Sequence, residues 1–198
     1  FFVNIKEHCD DGQRHLYVKD LTIAHVRAWG WRFVDEFCWL RPGVPGRWPD
    51  RFKNGFEPVA HYARGAAKFR PESVSYASDA IPVKSSSIGA VTSCTNGAYW
   101  NRSADSESGM AFPSNVVECA GVERGTGHSA AFPLGLPEFF IKAFSDAGDV
   151  IVDPFLGSGS TLIAAAKTAR ECRGFEISPR YCDVIRRRWT KYARSAGV

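Results

Sequence analysis

No two prolines are adjacent in this 198-residue sequence; all eleven stand singly, which excludes any site built on a Pro-Pro step. The cysteines (9, 38, 94, 119, 172 and 182) form no C-x-x-C pair and keep no regular spacing. That scatter argues against a zinc site and a disulfide framework, so reduced, partly buried thiols are expected instead. No apolar run approaches the roughly 18 residues of a membrane span, and no signal peptide is visible. No internal repeat or long low-complexity tract occurs. The expectation is a soluble cytoplasmic protein with no membrane association and no resident metal. Phe1 stands where an initiator methionine would, and Phe1-Phe2-Val3-Asn4-Ile5 looks like the inside of a strand, so a longer parent chain is expected.

What is present can build a core. Hydrophobic residues make up 44% of the chain and aromatics 13%, enough for one domain with a small insert. The net charge of +4 matters less than where it lies. Arg41, Arg47, Arg51, Lys53, Arg64, Lys68 and Arg70 are set against only Asp50 and Glu57, with Trp48, Phe52 and Phe56 interleaved. Basic residues again outnumber acidic ones from 164 onward, whereas 71–127 is mildly acidic. Two basic segments around an acidic one fit a polyanion surface, with Arg47, Arg51 and Lys53 as phosphate contacts; solvated helix faces fit the charge pattern equally well.

The hydrophobic pattern predicts a strand at Phe1–Ile5, a helix over Leu16–Trp29 stopped by Gly30, and strands over Trp31–Leu40 and Glu57–Ala63. Arg41 to Gly46 is a turn-rich loop. Residues 71–127 carry polar, turn-prone runs such as Thr92 to Gly97, and read as a loop-rich insert. The C-terminal third is more regular: a helix with Pro137 in its first turn, a strand Asp149–Val152, an alanine-rich helix Ser160–Ala169, a strand Arg173–Ile177, and a helix announced by Ser178-Pro179. Strand, loop, helix, strand and helix in that order make a βαβ unit, hence an α/β fold with a parallel, doubly wound sheet.

Ligands of such sheets sit at the carboxyl ends of the strands. Residues 153–161, DPFLGSGST, occupy that place. Gly157 and Gly159 allow close backbone approach, and Ser158, Ser160 and Thr161 add hydroxyls beside a helix N-terminus, which favours an anionic group. A phosphate-cradling loop would need a lysine after Gly159, and there is none. A dinucleotide loop would need glycine at 162, which is leucine. S-adenosylmethionine is the third candidate, with a carboxylate for the loop and ribose hydroxyls for Glu176 at the end of the next strand. A structural turn beside a surface glutamate stays open on these residues alone.

Three stretches taken together, His128-Ser-Ala-Ala-Phe132-Pro133, Asp153 to Thr161 and Gly174-Phe-Glu176-Ile-Ser-Pro-Arg-Tyr181, resemble the permuted (beta-class) amino-methyltransferases of DNA. Those enzymes methylate N4 of cytosine or N6 of adenine, many within restriction–modification systems of bacteria and phages. The resemblance implies a Rossmann-like methyltransferase sheet with S-adenosylmethionine as cofactor, double-stranded DNA as partner, and room for a cognate restriction endonuclease. It implies the remainder of the catalytic half over 1–70, a target-recognition insert over 71–127, and the cofactor half over 128–198. Asp153, Phe155, Gly157, Ser158, Gly159 and Thr161 would surround the methionine end of the cofactor. Glu176 would take the ribose hydroxyls with Ile177 against the adenine, and His128, Phe132 and Pro133 would close the pocket.

One part of the family pattern is missing. Its catalytic tetrapeptide, D/S/N-P-P-Y/F/W, accepts hydrogen bonds from the target amine and stacks on the flipped base. With no Pro-Pro step the tetrapeptide is absent, and Asp153-Pro154-Phe155 belongs to the cofactor loop. No catalytic residue is therefore assigned. The resemblance places the tetrapeptide's strand between the strand ending at Val152 and that at Phe1–Ile5, so an incomplete sheet and an inactive chain are expected. Two other readings remain: a binding module that keeps cofactor or DNA without chemistry, and an unrelated Rossmann-like enzyme.

Overall fold

The computed structural model describes residues 1–41, 51–77, 110–119 and 132–197. Four strands form the larger sheet: β1 (Phe2–Asn4), β4 (Arg32–Leu40), β5 (Phe56–Ala63) and β8 (Val116–Val117), in the order β1-β5-β4-β8. β5 runs antiparallel to both β1 and β4, and β8 parallel to β4. Pro58 lies within this central β5 opposite Cys38, whose own N–H turns away to the Asn115 carbonyl. The pair at Cys38 and Pro58 therefore exchanges no backbone bonds. Pro58 faces the other edge, beyond the β1 pairing that ends at Asn4 and Val59, so its missing N–H removes no ladder bond.

Alternation along β5 divides the apolar residues between two helices. Val59 and His61 face α2 (Gly135–Phe144), while Ala60 and Tyr62 face α1 (Tyr17–Arg27), where the Tyr62 hydroxyl donates to Thr22 Oγ1 at 3.0 Å. The main core is Phe37, Trp39, Val59, Val117, Leu136 and Phe140. Phe37 meets Phe139, Phe140 and Phe144 edge-on, and Phe2 stacks on His61 at 4.4 Å. Burial holds the His61 imidazole down at about 4, so the ring is neutral at ordinary pH.

A second, two-stranded sheet pairs β9 (Val150–Asp153) with β10 (Glu171–Gly174), strictly parallel, across the helix α3 (Ser160–Lys167). The βαβ unit expected from the sequence is present, and α4 (Pro179–Ala196) follows it. The expected strand Arg173–Ile177 begins and ends earlier, at Glu171–Gly174, because its register is set by β9: Gly174 pairs with Asp153, where β9 itself turns into the loop. Past that point Phe175 still bonds to Asp153 and Leu156, following the loop and no longer a strand.

α2 joins the two sheets. Phe140 packs on the larger one, and its neighbour Ile141 packs on Ala164 and Ala165 of α3 with Ile151 and Cys172 beneath. Lys68, beyond β5, binds Asp146 at 2.9 Å and Asp149 at 2.6 Å in the connection that leads to β9. Among the described residues no strand pairs with the outer edge of β9 or of β1, and Val150 and Val152 are exposed on the face away from α2 and α3. Two smaller ribbons complete the fold: the hairpin β2 (Cys9–Asp10) with β3 (Gln13–Arg14), turned at Asp11-Gly12, and β6 (Tyr76–Ala77) with β7 (Met110–Ala111). Among the described residues no helix is long and apolar enough to cross a membrane, and no His, Cys, Asp and Glu cluster suits a metal ion.

Candidate functional site

The loop between β9 and α3 turns twice through left-handed backbone, at Gly157 (φ 56°) and Gly159 (φ 83°). An L-residue is strained there, and a Cβ on Gly159 would also lie 3.2 Å from Ile185 of α4. The tight turn is closed by Gly159 N donating to Leu156 O at 2.9 Å. Asp153 turns the start of the loop, its Oδ1 accepting from Phe155 N at 2.9 Å. Beyond the turn, the amides of Ser158, Ser160, Thr161 and Leu162 have no hydrogen-bond acceptor among the described residues. They form a set of donors at the N-terminus of α3, where the helix dipole also favours negative charge.

Opposite these donors is one carboxylate. Glu176 Oε2 accepts from Gly157 N at 2.7 Å and Oε1 from Ser178 N at 2.8 Å. The acid after β10 is thereby fixed against the loop after β9. Each oxygen keeps further lone pairs for a hydroxyl donor. Glu176 reaches the loop that follows Asp153 because the parallel register ends both strands at one level.

The other candidate residues occupy distinct settings. Ser158 and Thr161 are buried, while Phe155 is 87% exposed and Ile177 99% exposed, apolar side chains with little of their surface covered. Pro133 is buried, and Phe132 packs against the core of the larger sheet while its carbonyl accepts from Ser160 Oγ at 3.3 Å. His128 and Arg47 lie outside the described residues, as does most of 71–127. Lys53 is exposed; Arg51 is only half-exposed, with its Nε and Nη1 turned away from solvent.

Two residues of the site were given no role by sequence reasoning, although Gly174 opens one of the stretches that carry the resemblance. Gly174 lies directly under Leu156, where an added Cβ would come within 2.5 Å of Cδ2. Arg188 of α4 donates from Nη1 to the Ser158 carbonyl at 2.6 Å, to Ser158 Oγ at 3.0 Å and to Ser160 Oγ at 3.3 Å. The signal for Arg188 was its place on the wheel, four residues after buried Val184 and four before half-buried Tyr192, an arginine on the apolar side of a helix.

Comparison with known proteins gives this geometry its setting. A family model described as DNA methylase (N6/N4) matches residues 1–187. The orphan methyltransferase M.BamHII of Bacillus amyloliquefaciens is 45% identical over 65 residues, 33% of this chain and 24% of that protein. The type II methyltransferase M.ScaI of Streptomyces caespitosus is 49% identical over 63 residues, 32% of this chain and 20% of that protein. Each shared segment is thus a quarter or less of the relative's length. Among solved structures, the cytosine-N4-specific PvuII DNA methyltransferase superposes with a TM-score of 0.68 at 20% identity, over 96% of this chain and 63% of its own. TTHA0409 of Thermus thermophilus, in complex with S-adenosyl-L-methionine, superposes with a TM-score of 0.57 at 24% identity, over 98% and 67%. The fold is that of these methyltransferases.

Proposed function

As the chain belongs to the DNA methylase family, we propose that it is the cofactor-holding part of a site-specific DNA methyltransferase, which moves a methyl group from S-adenosylmethionine to N4 of cytosine or N6 of adenine. The observation that carries this reading is the Glu176 carboxylate held 2.7 Å from Gly157 N, beside the open amides of α3. A donor-rich helix start and an acceptor carboxylate lie side by side, and S-adenosylmethionine has the complement of each: an amino-acid carboxylate and a ribose diol. Bound, the cofactor supplies an electrophilic methyl on its sulfonium sulfur. Asp153, Phe155, Gly157, Ser158, Gly159 and Thr161 would hold its methionine end. Glu176 would hold the ribose and Ile177 the adenine, with His128, Phe132 and Pro133 closing the pocket.

The amine-activating tetrapeptide does not occur in these 198 residues. On this reading the chain binds the donor but does not transfer its methyl group unaided. A strand bearing the tetrapeptide would find bonding edges on β9 and β1. Residues 1–70 and 128–198 are then the two halves of the methyltransferase sheet, and 71–127 reads the target. Duplex DNA is the partner, gripped through phosphates around Lys53 in the cytoplasm, and a cognate endonuclease belongs to the same reading.

Titration with S-adenosylhomocysteine tests the first claim. The chain should bind it, and Glu176→Gln should weaken binding by about tenfold or more, the loss expected for charged hydrogen bonds. A native chain that binds neither S-adenosylhomocysteine nor S-adenosylmethionine would overturn the cofactor assignment. Sustained incorporation of labelled methyl groups into DNA by the chain alone would instead overturn the claim that the chemistry lies elsewhere.

A further inference from the structure

A guanidinium is charged at every pH a folded protein meets, and where it is partly withdrawn from water, as Arg188 is, it needs partners. Arg188 reaches back across the βαβ unit to the loop 30 residues earlier, where its Nη1 donates to the Ser158 carbonyl and to the hydroxyls of Ser158 and Ser160. Both serines are more than nine-tenths buried. A cation at the N-terminus of α3 opposes the helix dipole, and negative charge nearby offsets that opposition. Glu176 supplies one such charge through Gly157. The Ser158 hydroxyl is placed to add a donor on the loop side. Its oxygen accepts from Arg188, which leaves its proton to donate, and that proton has no acceptor among the described residues.

We propose that Arg188 is the positioning residue that makes the 157–160 loop selective for a carboxylate, by holding the Ser158 carbonyl back toward α4 and leaving the Ser158 hydroxyl as a polarised donor. The loop lacks the lysine of phosphate-binding loops, and the positive charge comes instead from a helix that follows it. This inference rests on the cofactor reading, with the amino-acid carboxylate of S-adenosylmethionine as the group selected. Arg188 acts through Ser158 and Ser160 and makes no contact with the ligand.

The test compares two probes that differ at that carboxylate. S-adenosylhomocysteine carries the amino-acid end; 5′-methylthioadenosine keeps the nucleoside and thioether and lacks the carboxylate. Both are titrated calorimetrically into the native chain, Arg188→Gln and Arg188→Lys, with folding checked by circular dichroism. In Arg188→Gln, affinity for S-adenosylhomocysteine should fall by about tenfold or more while that for 5′-methylthioadenosine stays within about twofold, and Arg188→Lys should recover part of the loss. An equal fall for both probes, or no fall for either, would overturn the assignment, the first by reducing Arg188 to a packing residue. If Arg188→Gln does not fold, Ser158→Ala carries the test with the same expected split. A native chain that binds 5′-methylthioadenosine but not S-adenosylhomocysteine overturns the carboxylate assignment alone. A native chain that binds neither overturns the cofactor reading and this inference with it.

Discussion

Gly174 offers the sharpest test of how the loop is seated. Its φ is not positive, so only space demands glycine there. An added Cβ would stand 2.5 Å from Leu156 Cδ2, 2.9 Å from Cδ1 and 3.0 Å from Cγ. Apolar carbons rest at about 3.5–4.0 Å, so Leu156 must retreat by about an ångström. It has little freedom to do so. The side chain is 8% exposed, its amide is bonded to Phe175 O at 2.8 Å, and its carbonyl closes the Gly159 turn at 2.9 Å. Overpacking of this kind costs about 1–3 kcal/mol, and a shifted Leu156 should carry Gly157 away from Glu176.

Gly174→Ala should therefore lower the free energy of denaturant unfolding by about 1–3 kcal/mol and weaken S-adenosylhomocysteine binding as well. Leu156→Ala alone should cost about 2–5 kcal/mol, the usual loss for a truncated core leucine. The double variant removes the clashing atoms, so its loss should fall short of the sum by at least about 1 kcal/mol, beyond the scatter of independent sites. An unchanged midpoint for Gly174→Ala would refute the packing argument. Additive losses would refute the claim that Leu156 is what the glycine accommodates.

Three further outcomes follow from the fold. Ile141→Ala empties the contact between α2 and α3 and should cost about 2–5 kcal/mol in denaturant unfolding; a loss under about 1 would mean that α2 does not hold the second sheet. Burial pushes His61 down to about 4, so between pH 6.5 and 4 the unfolded chain binds the extra proton. Stability from this group is complete above its unfolded value and should decline by up to about 3 kcal/mol as pH falls toward 4. His61→Phe should flatten that decline above about pH 4.5, before the carboxylates titrate, and an unaltered profile would locate the acid sensitivity elsewhere. Burial, helped by the charge of Asp153, raises the Cys172 thiol to about 11. It should resist iodoacetamide at pH 8 in the native chain and react in denaturant; equal labelling in both would contradict its packing beneath α2.

Local signals were legible wherever a side chain or a spacing decides the backbone. Ser178-Pro179 marked the start of α4, Gly30 the end of α1, and the two loop glycines the left-handed turns before α3. Pairing partners were less visible. Val116 and Val117 sit in a stretch whose composition is polar and loop-like, yet they join β4 through a parallel contact nearly eighty residues distant in sequence. The end of β10 followed from its register with β9 and not from the alternation of Phe175 and Ile177, both of which turn out exposed. Arg188 was hidden inside the run Arg186-Arg187-Arg188, which reads as one solvated patch until the wheel separates its third member. Gly174 carried no conformational signal because its reason is a neighbour, Leu156, and not an angle.

The way the two sheets are joined bears on which residues the site depends on. Neither sheet bonds to the other among the described strands, so their relation rests on side chains. Phe140 and Ile141 are consecutive in α2 and therefore point about 100° apart, one toward each sheet. The Lys68 and Arg70 contacts to Asp146 add polar ties, but they are exposed and partly screened by solvent. Apolar packing of α2 is thus the main link between the larger sheet and the β9–β10 unit. The loop and Glu176, by contrast, are both anchored inside the second unit: the first by Arg188, the second by Gly157 and Ser178. Loosening α2 should therefore alter how the sheets are set before it alters how the loop meets Glu176. Ile141→Ala should lose stability while the protein that remains folded keeps its affinity for S-adenosylhomocysteine, whereas Gly174→Ala should lose both. A variant of α2 that abolished binding without unfolding would show that the cofactor site extends onto the larger sheet.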